Sequence, residues 1–107
     1  MSIDEPSCRV FADALELVGR RWTAAVLLAA HRGARRFGEY RAAIEGISDR
    51  LLALRLKELE QEGLVARTVI PSTPVQIRYA LTGEGEQLLS VLQPLIEWSY
   101  RRTTVSR

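Results

Sequence analysis

Basic side chains that could bind phosphate cluster in the middle of this sequence. The 107 residues include 15 Lys and Arg against 13 Asp and Glu, and the formal net charge of +2 by itself says little about a partner. Between Arg32 and Lys57, however, seven basic residues stand against three acidic ones, a local excess of four positive charges. Because Arg and Lys neutralise the phosphates of a nucleic acid, this distribution favours double-stranded DNA as the partner.

A lone thiol is the second group that could do chemistry. Cys8 is the only cysteine, so an intramolecular disulfide is excluded, and oxidation would involve a partner subunit, a small thiol or a direct adduct. Arg9 and a nearby helix N-terminus both favour the thiolate over the thiol. Two roles are open for Cys8: a redox-sensing residue that responds to a small electrophile or oxidant, or a small apolar residue buried at a dimer seam.

Enzyme and metal chemistry find no support in these residues. His31 is the sole histidine and has no cysteine, carboxylate or second histidine at ligand spacing, so we expect no metal site there and only a partly exposed helix end. Paired carboxylates, a nucleophile with its base and a phosphate-binding loop are also missing from the sequence. The predictions are therefore no enzyme activity and no cofactor.

An amphipathic helix carries the central basic residues. Leu52, Leu56 and Leu59 recur at i, i+4 and i+7, which predicts one buried stripe, with Ser48 as its N-cap and Gly63 as a left-handed residue at its end. In a helix-turn-helix the exposed side of such a helix enters the major groove. The residues expected near base edges are Asp49, Arg50, Ala53, Leu54 and Lys57. The acidic run Glu58, Glu60 and Glu62 is interpreted as a solvated helix end.

A second helix and a turn precede this one. Phe37, Tyr40 and Ile44 have helical spacing and Gly46 permits a tight reversal, so residues 36–62 are predicted to form a helix-turn-helix. Arg36 and Arg50 flank the turn and are the favoured phosphate or base contacts. The alternative is that they pair with Glu39 or Asp49. Ser48 could bind a phosphate while it caps the helix, although capping alone explains it.

Residues 64–81 are predicted to form the wing, a hairpin rich in β-branched residues and broken by Pro71 and Pro74. Arg67 and Arg78 on its strands are candidates for DNA contact, and an ordinary cross-strand placement is the alternative. Because Ser72 and Thr73 at the tip carry no charge, few wing contacts are expected.

Residues 8–18 and 23–30 are too apolar for freestanding surface helices. A thin winged helix leaves the flanking segments, about residues 8–18 and 83–102, without a surface to pack against, which predicts a homodimer. The last helix, capped by Thr82, shows two apolar faces, one for the domain and one for a partner subunit. Pro94 predicts a kink there or, alternatively, a break into two short helices. Trp22 is expected to anchor the core.

The fold class that follows is α+β, mainly α: one winged helix-turn-helix domain over residues 1–107 with N- and C-terminal dimerisation helices. No apolar run approaches the roughly 20 residues of a membrane helix, and the N-terminus does not resemble a secretion signal. A soluble cytoplasmic protein without a membrane partner is expected.

The order of these motifs resembles the HxlR-type transcriptional regulators, a branch of the MarR-like winged-helix proteins. The similarity covers about residues 8–99 and depends on spacing more than on any single motif. It includes Cys8, Gly19-Arg20-Arg21-Trp22, Arg36-Phe37-Gly38-Glu39, Gly46-Ile47-Ser48, Leu56-Lys57-Glu58-Leu59-Glu60, Gly63-Leu64-Val65, Arg67, Pro74, Tyr79, Leu81-Thr82 and Glu97-Trp98. The resemblance implies a homodimer that binds an inverted-repeat operator, and in some members a cysteine at the place of Cys8 senses electrophiles or oxidants.

Two positions in the helix that follows Ser48 depart from the family pattern. Asp49 and Leu54 stand where polar, often Gln-like residues are usual, so the operator of a relative cannot be transferred to this chain. The predicted function is a homodimeric, sequence-specific DNA-binding transcriptional regulator, with redox sensing through Cys8 as a hypothesis. The alternative is a winged-helix module for protein interaction that has no operator.

Overall fold

The computed structural model describes residues 5–105 as five helices and one two-stranded antiparallel sheet. Within that range, no helix has the length and apolar character needed to cross a membrane. In chain order the elements are α1 (Glu5–Gly19), α2 (Thr23–His31), α3 (Phe37–Ala43), α4 (Asp49–Gln61), β1 (Val65–Ile70), β2 (Gln76–Leu81) and α5 (Gly83–Val105).

Helix α2 lies at the centre of the core. It has no charged residue before its last position, His31, and it packs against all four other helices and strand β2. Val26 and Leu27 are completely buried, and Ala29 and Ala30 nearly so. A helix that is apolar on every side is stable only when it is enclosed, which explains why the other elements surround it.

The predicted leucine stripe of α4 is confirmed as the contact between α4 and this core. Leu52, Leu56 and Leu59 are each at most 1% exposed. The Ser48 hydroxyl accepts a hydrogen bond from the Leu51 N–H at 3.1 Å, which confirms the predicted N-cap. Gly63 follows the helix with φ +75°, the left-handed conformation expected for a C-terminal glycine.

Residues with positive φ form the turns that precede α2 and α4. Gly46 has φ +91° in the turn between α3 and α4, as predicted. Trp22 precedes α2 with φ 79°, a conformation that a bulky residue rarely adopts. Its ring packs against the core and confirms the anchoring role, while the Arg21 guanidinium lies 4.9 Å from the ring centroid.

The hairpin register places its two arginines on opposite faces. Arg67 lies opposite Tyr79, on the same face as buried Val65, whereas Arg78 lies opposite Thr68 on the other face. The sequence did not predict that the chain before α3 joins this sheet. Arg36 forms an isolated antiparallel bridge with Arg78, and the Tyr79 N–H donates to the Arg35 carbonyl oxygen at 2.7 Å.

The two terminal helices differ from the predicted bounds. Helix α1 begins by Glu5 rather than at about residue 8, so Cys8 lies inside its first turns. Pro6 permits this earlier start because a proline near a helix N-terminus removes only an N–H that has no helical partner. Helix α5 is continuous through Pro94, so the alternative of two short helices is wrong.

Hydrogen bonds join the start of α5 to the base of the wing. The Thr82 hydroxyl accepts from the Gly85 N–H at 3.1 Å, as predicted for a cap, and donates to the Gly63 carbonyl oxygen at 2.6 Å. Gly85 is buried so closely against the Leu64 carbonyl oxygen that a Cβ at this position would overlap it. The close approach of the two backbones therefore requires a glycine here.

Gly85→Ala should lower the free energy of unfolding by about 1–3 kcal/mol, the usual cost of forcing extra volume into a packed site. Gly83→Ala is the matched control, because a Cβ at Gly83 meets no atom within 4 Å. Urea denaturation followed by circular dichroism measures both variants. Equal stability of the two variants would contradict the close approach between α5 and Leu64.

Candidate nucleic-acid interface

Five of the predicted DNA-binding residues share the exposed side of α4, opposite the buried leucine stripe. Ala53 and Leu54 lie three and four residues after Arg50 and four and three residues before Lys57, and Leu54 is 46% exposed. Asp49 is exposed at the N-terminus of the same helix. The structure therefore brings together on one surface the residues expected near base edges.

Asp49 at the start of α4 pairs with Arg41, so the alternative of an ion pair between Arg50 and Asp49 is wrong. The Asp49 carboxylate accepts two hydrogen bonds from Arg41 Nη1, at 3.1 and 3.2 Å, rather than pairing with Arg50. Both partners are more than half exposed, so the ion pair contributes little to stability. Its consequence is electrostatic: Arg41 offsets the acid, while Arg50 has no ion pair with any residue of the described range.

Glu58 is not part of a solvated helix end, and the interpretation of the acidic run is wrong at this position. Its carboxylate accepts from Arg20 Nη1 at 2.8 Å and from Arg55 Nη1 at 2.7 Å. Arg55 Nε also donates to the Arg21 carbonyl oxygen at 2.8 Å. The cluster fastens α4 to the connection between α1 and α2, and Arg55, with a side chain only 13% exposed, is no longer available to DNA.

Glu39 caps the N-terminus of α3 and does not pair with an arginine side chain of the described range. One carboxylate oxygen of Glu39 accepts from the main-chain N–H groups of Arg35 and Arg36, each at 2.9 Å. These hydrogen bonds, from Arg36 first and then from Arg35, lower the pKa of Glu39 below 4.5. The alternative that the Arg36 guanidinium pairs with Glu39 is therefore wrong, because the carboxylate caps the helix through the main chain.

The Arg36 side chain instead reaches the wing. Its Nη2 donates to the Gln76 Oε1 at 3.3 Å, and Arg78 Nη2 donates to the same oxygen at 3.2 Å. Arg67 is exposed on the other face of the hairpin. Of the two wing arginines, only Arg78 lies beside Arg36. Gln76 was not predicted as a site residue, and no pattern in its neighbourhood indicates this role.

A buried tyrosine couples the wing to the helix-turn-helix. Tyr40 of α3 is completely buried, and its hydroxyl donates to the Tyr79 carbonyl oxygen at 2.7 Å. The two rings meet edge to face, with centroids 6.3 Å apart. Burial raises the pKa of Tyr40 from 10.0 to about 12. The sequence showed Tyr40 only as part of an apolar face, although a buried phenol generally needs a hydrogen-bond partner.

The wing tip is uncharged, in keeping with the few contacts predicted for it. The Ser72 hydroxyl donates to the Pro74 carbonyl oxygen at 2.7 Å, within the turn itself. Val69, Val75 and Ile77 are exposed nearby, which leaves this part of the wing with an apolar surface.

Cys8 lies apart from the helix-turn-helix, exposed on α1. Burial of Cys8 would therefore require a second molecule, so the single chain leaves both of its proposed roles open.

His31 is exposed at the end of α2, and its Nδ1 lies 3.7 Å from Glu86 Oε2. The described part of the chain contains no group of three residues able to hold a metal ion.

Comparisons with known proteins agree with this arrangement. A family model described as HxlR-like helix-turn-helix matches residues 17–106. The uncharacterized HTH-type transcriptional regulator YvaP of Bacillus subtilis is 42% identical over 92 residues, which cover 86% of this chain and 85% of the relative. The crystal structure of diamide-treated YodB from B. subtilis has a TM-score of 0.75 at 40% identity and covers 84% of this chain and 89% of that one. The redox regulator HypR in its oxidized form has a TM-score of 0.78 at 31% identity, covering 85% and 94%. These similarities confirm the predicted fold class.

Tyr40→Phe should change how stability depends on alkaline pH. The folded protein keeps the Tyr40 phenol protonated to about pH 12, whereas the unfolded chain releases the proton near 10.0. The stabilisation is therefore complete below pH 10 and is lost as pH rises to 12, by about 2–3 kcal/mol over that interval. Urea titrations from pH 9 to 12 should show a smaller decline for Tyr40→Phe than for wild type.

Tyr100→Phe is the control for this measurement, since the Tyr100 side chain is 71% exposed. It should follow the wild-type pH dependence. A decline of the same size in Tyr40→Phe and wild type would contradict the assigned burial of the phenol.

Proposed function

Because this chain belongs to the HxlR-like helix-turn-helix family, we propose that it binds an inverted-repeat operator as a homodimer, with one α4 helix in each half-site. It is a transcriptional regulator, as its relatives are. The observation that carries the proposal is the exposed side of α4, where Arg50 and Lys57 stand clear of the ion pairs that occupy Arg41 and Arg55.

The residues of this surface suit different parts of a DNA site. Arg50 can donate two hydrogen bonds to guanine O6 and N7, and Asp49 can accept from a cytosine amino group. Ala53 and Leu54 cannot hydrogen-bond a base, but they can contact a thymine methyl group. Lys57 and the Ser48 hydroxyl are assigned to phosphates, which position the helix without reading sequence.

The wing supplies the outer contacts in this proposal. Arg36 and Arg78 are assigned to the DNA backbone beside the groove that α4 occupies. Arg67, on the opposite face of the hairpin, is the weaker candidate, because the two faces cannot meet one phosphate together. Because the wing tip is uncharged, we expect it to contribute little to DNA affinity.

The exposed apolar surfaces of α1 and α5 support the homodimer. On α1, Val10 and Phe11 are 71% and 65% exposed, and on α5, Val91 is 68% exposed with Leu95 and Trp98 also accessible. Large apolar patches of this kind usually mark an interface. A second copy would cover them and would place the two α4 helices about 34 Å apart, one turn of DNA.

Regulation through Cys8 is the third part of the proposal. Structures similar to this chain include a diamide-treated regulator and a redox regulator in its oxidized form. Cys8 is exposed on α1, beside the surface assigned to the dimer.

In the dimer, the two Cys8 thiolates can lose two electrons to an oxidant such as diamide and form one intersubunit disulfide. The bond would alter the dimer and hence the spacing of the α4 helices.

DNA binding is tested by fluorescence anisotropy of the reduced protein on the intergenic duplex beside its own gene and on a scrambled duplex. Wild type should prefer the native duplex. Arg50→Ala should reduce that preference about tenfold, since a good bidentate contact contributes about 1–3 kcal/mol of discrimination. Arg101→Ala, which removes the same charge from the exposed surface of α5, is the control and should leave the preference unchanged.

Equal affinity of wild type for both duplexes in this assay, with no effect of Arg50→Ala, would contradict sequence-specific binding at this site. It would favour the alternative of a protein-interaction module instead.

Redox control is tested with Cys8→Ser. Diamide should change the operator affinity of wild type and produce a dimer band on non-reducing gels, while Cys8→Ser should show neither effect. Addition of dithiothreitol should restore the reduced behaviour of wild type. An unchanged affinity of diamide-treated wild type would overturn the redox hypothesis without affecting the assignment of the DNA surface.

A further inference from the structure

Two positively charged side chains from different elements converge on one neutral acceptor, Gln76, which pairs with Ile70 at the tip end of the hairpin. Arg36 precedes α3 and Arg78 lies in β2, and each donates an Nη2–H to the Gln76 Oε1, at 3.3 and 3.2 Å. The two like charges repel each other, and a hydrogen-bond acceptor shared by both groups offsets part of that repulsion. Gln76 supplies the acceptor in the free protein.

No acidic residue of the described range forms an ion pair with either arginine. Within the described residues, neither guanidinium lies within 4.0 Å of a carboxylate. Glu39 is close enough for both charges to act on it, but its carboxylate is bonded to the main-chain N–H groups of Arg35 and Arg36, and its single negative charge can offset only one of the two positive charges. The Arg35 guanidinium turns away and donates to the carbonyl oxygens of Ala30 and Ala34. A local excess of positive charge therefore remains at Arg36 and Arg78.

The backbone beneath the pair is rigidly connected. Arg36 and Arg78 are bridge partners in the sheet, and the Tyr79 N–H donates to the Arg35 carbonyl oxygen at 2.7 Å. The buried Tyr40 hydroxyl bonds the Tyr79 carbonyl oxygen from the other side. The main-chain positions of the two arginines are thus set before any ligand arrives, which lowers the entropic cost of binding.

We propose that Gln76 is a positioning residue that holds Arg36 and Arg78 as a two-guanidinium clamp for a single DNA phosphate. Each guanidinium carries five N–H donors and uses one of them on Gln76, so both can also bond a shared phosphate. The proposal rests on the DNA-binding function proposed above. In this proposal the helix-turn-helix and the wing bind the same DNA phosphate, through Arg36 and Arg78, rather than two separate phosphates.

Gln76→Glu separates a positioning role from a merely structural one. The carboxylate keeps the acceptor and pairs with both arginines, so the folded protein should be at least as stable as wild type in urea. Affinity for the duplex should nevertheless fall about tenfold, the loss expected when charge-assisted hydrogen bonds to phosphate are removed. The slope of log affinity against log salt should decrease in magnitude by about 0.9, one phosphate contact.

Val75→Glu is the matched control, because it places the same charge one residue away at a wing position that is 60% exposed. It should weaken binding less than Gln76→Glu and leave the salt slope near the wild-type value. A double-mutant cycle of Arg36→Ala and Arg78→Ala should be non-additive, since either change removes the same shared contact.

Three results would overturn the clamp while wild-type DNA binding stands: equal effects of Gln76→Glu and Val75→Glu, an unchanged salt slope in Gln76→Glu, or strict additivity of the two arginine changes. If wild type binds no duplex even at low salt, the proposed function fails and the clamp fails with it. The two failures are distinguished by the wild-type titration alone.

Discussion

Helix α2 has almost no polar surface of its own, so the chain must enclose it on nearly every side. Its residues Val26, Leu27, Ala29 and Ala30 are the centre against which every other helix and strand β2 pack. This requirement determines how α4 is oriented, because only its leucine stripe can face the core. The polar side of α4, with Arg50 and Lys57, is exposed as a consequence of burying the apolar side.

Polar contacts then make the arrangement specific. The Glu58 cluster fixes α4 to the connection before α2, and the Tyr40 hydroxyl fixes α3 to the wing. Both sets of contacts are partly buried, and hydrogen bonds that are shielded from water hold geometry more firmly than those on the surface. The helix-turn-helix and the wing are therefore joined as one unit, which is the arrangement that a protein needs to meet a groove and the adjacent backbone together.

The molecule has two exposed surfaces of different chemistry, one positively charged and one apolar. The α4 side and the Arg36–Arg78 pair present positive charge, whereas α1 and α5 present exposed apolar side chains such as Phe11, Val91 and Trp98. A phosphate backbone suits the first surface, and a second copy of the chain suits the other. Because Cys8 lies on α1, a change in its oxidation state would act on the apolar surface and reach the DNA surface through the relative position of two subunits.

The sequence by itself determined the local elements of this protein: the leucine spacing of α4, the Ser48 cap, the Gly46 turn and the hairpin follow from periodicity, capping and turn chemistry. It also indicated which residues of α4 are exposed. Only the tertiary structure decided which charged groups meet. Arg20 and Glu58 are 38 positions apart, and Arg36 and Gln76 are 40 apart, so no local pattern pairs them. The physical reason is that helix and turn signals act over a few residues, whereas ion pairs and shared acceptors depend on how packing brings distant segments together.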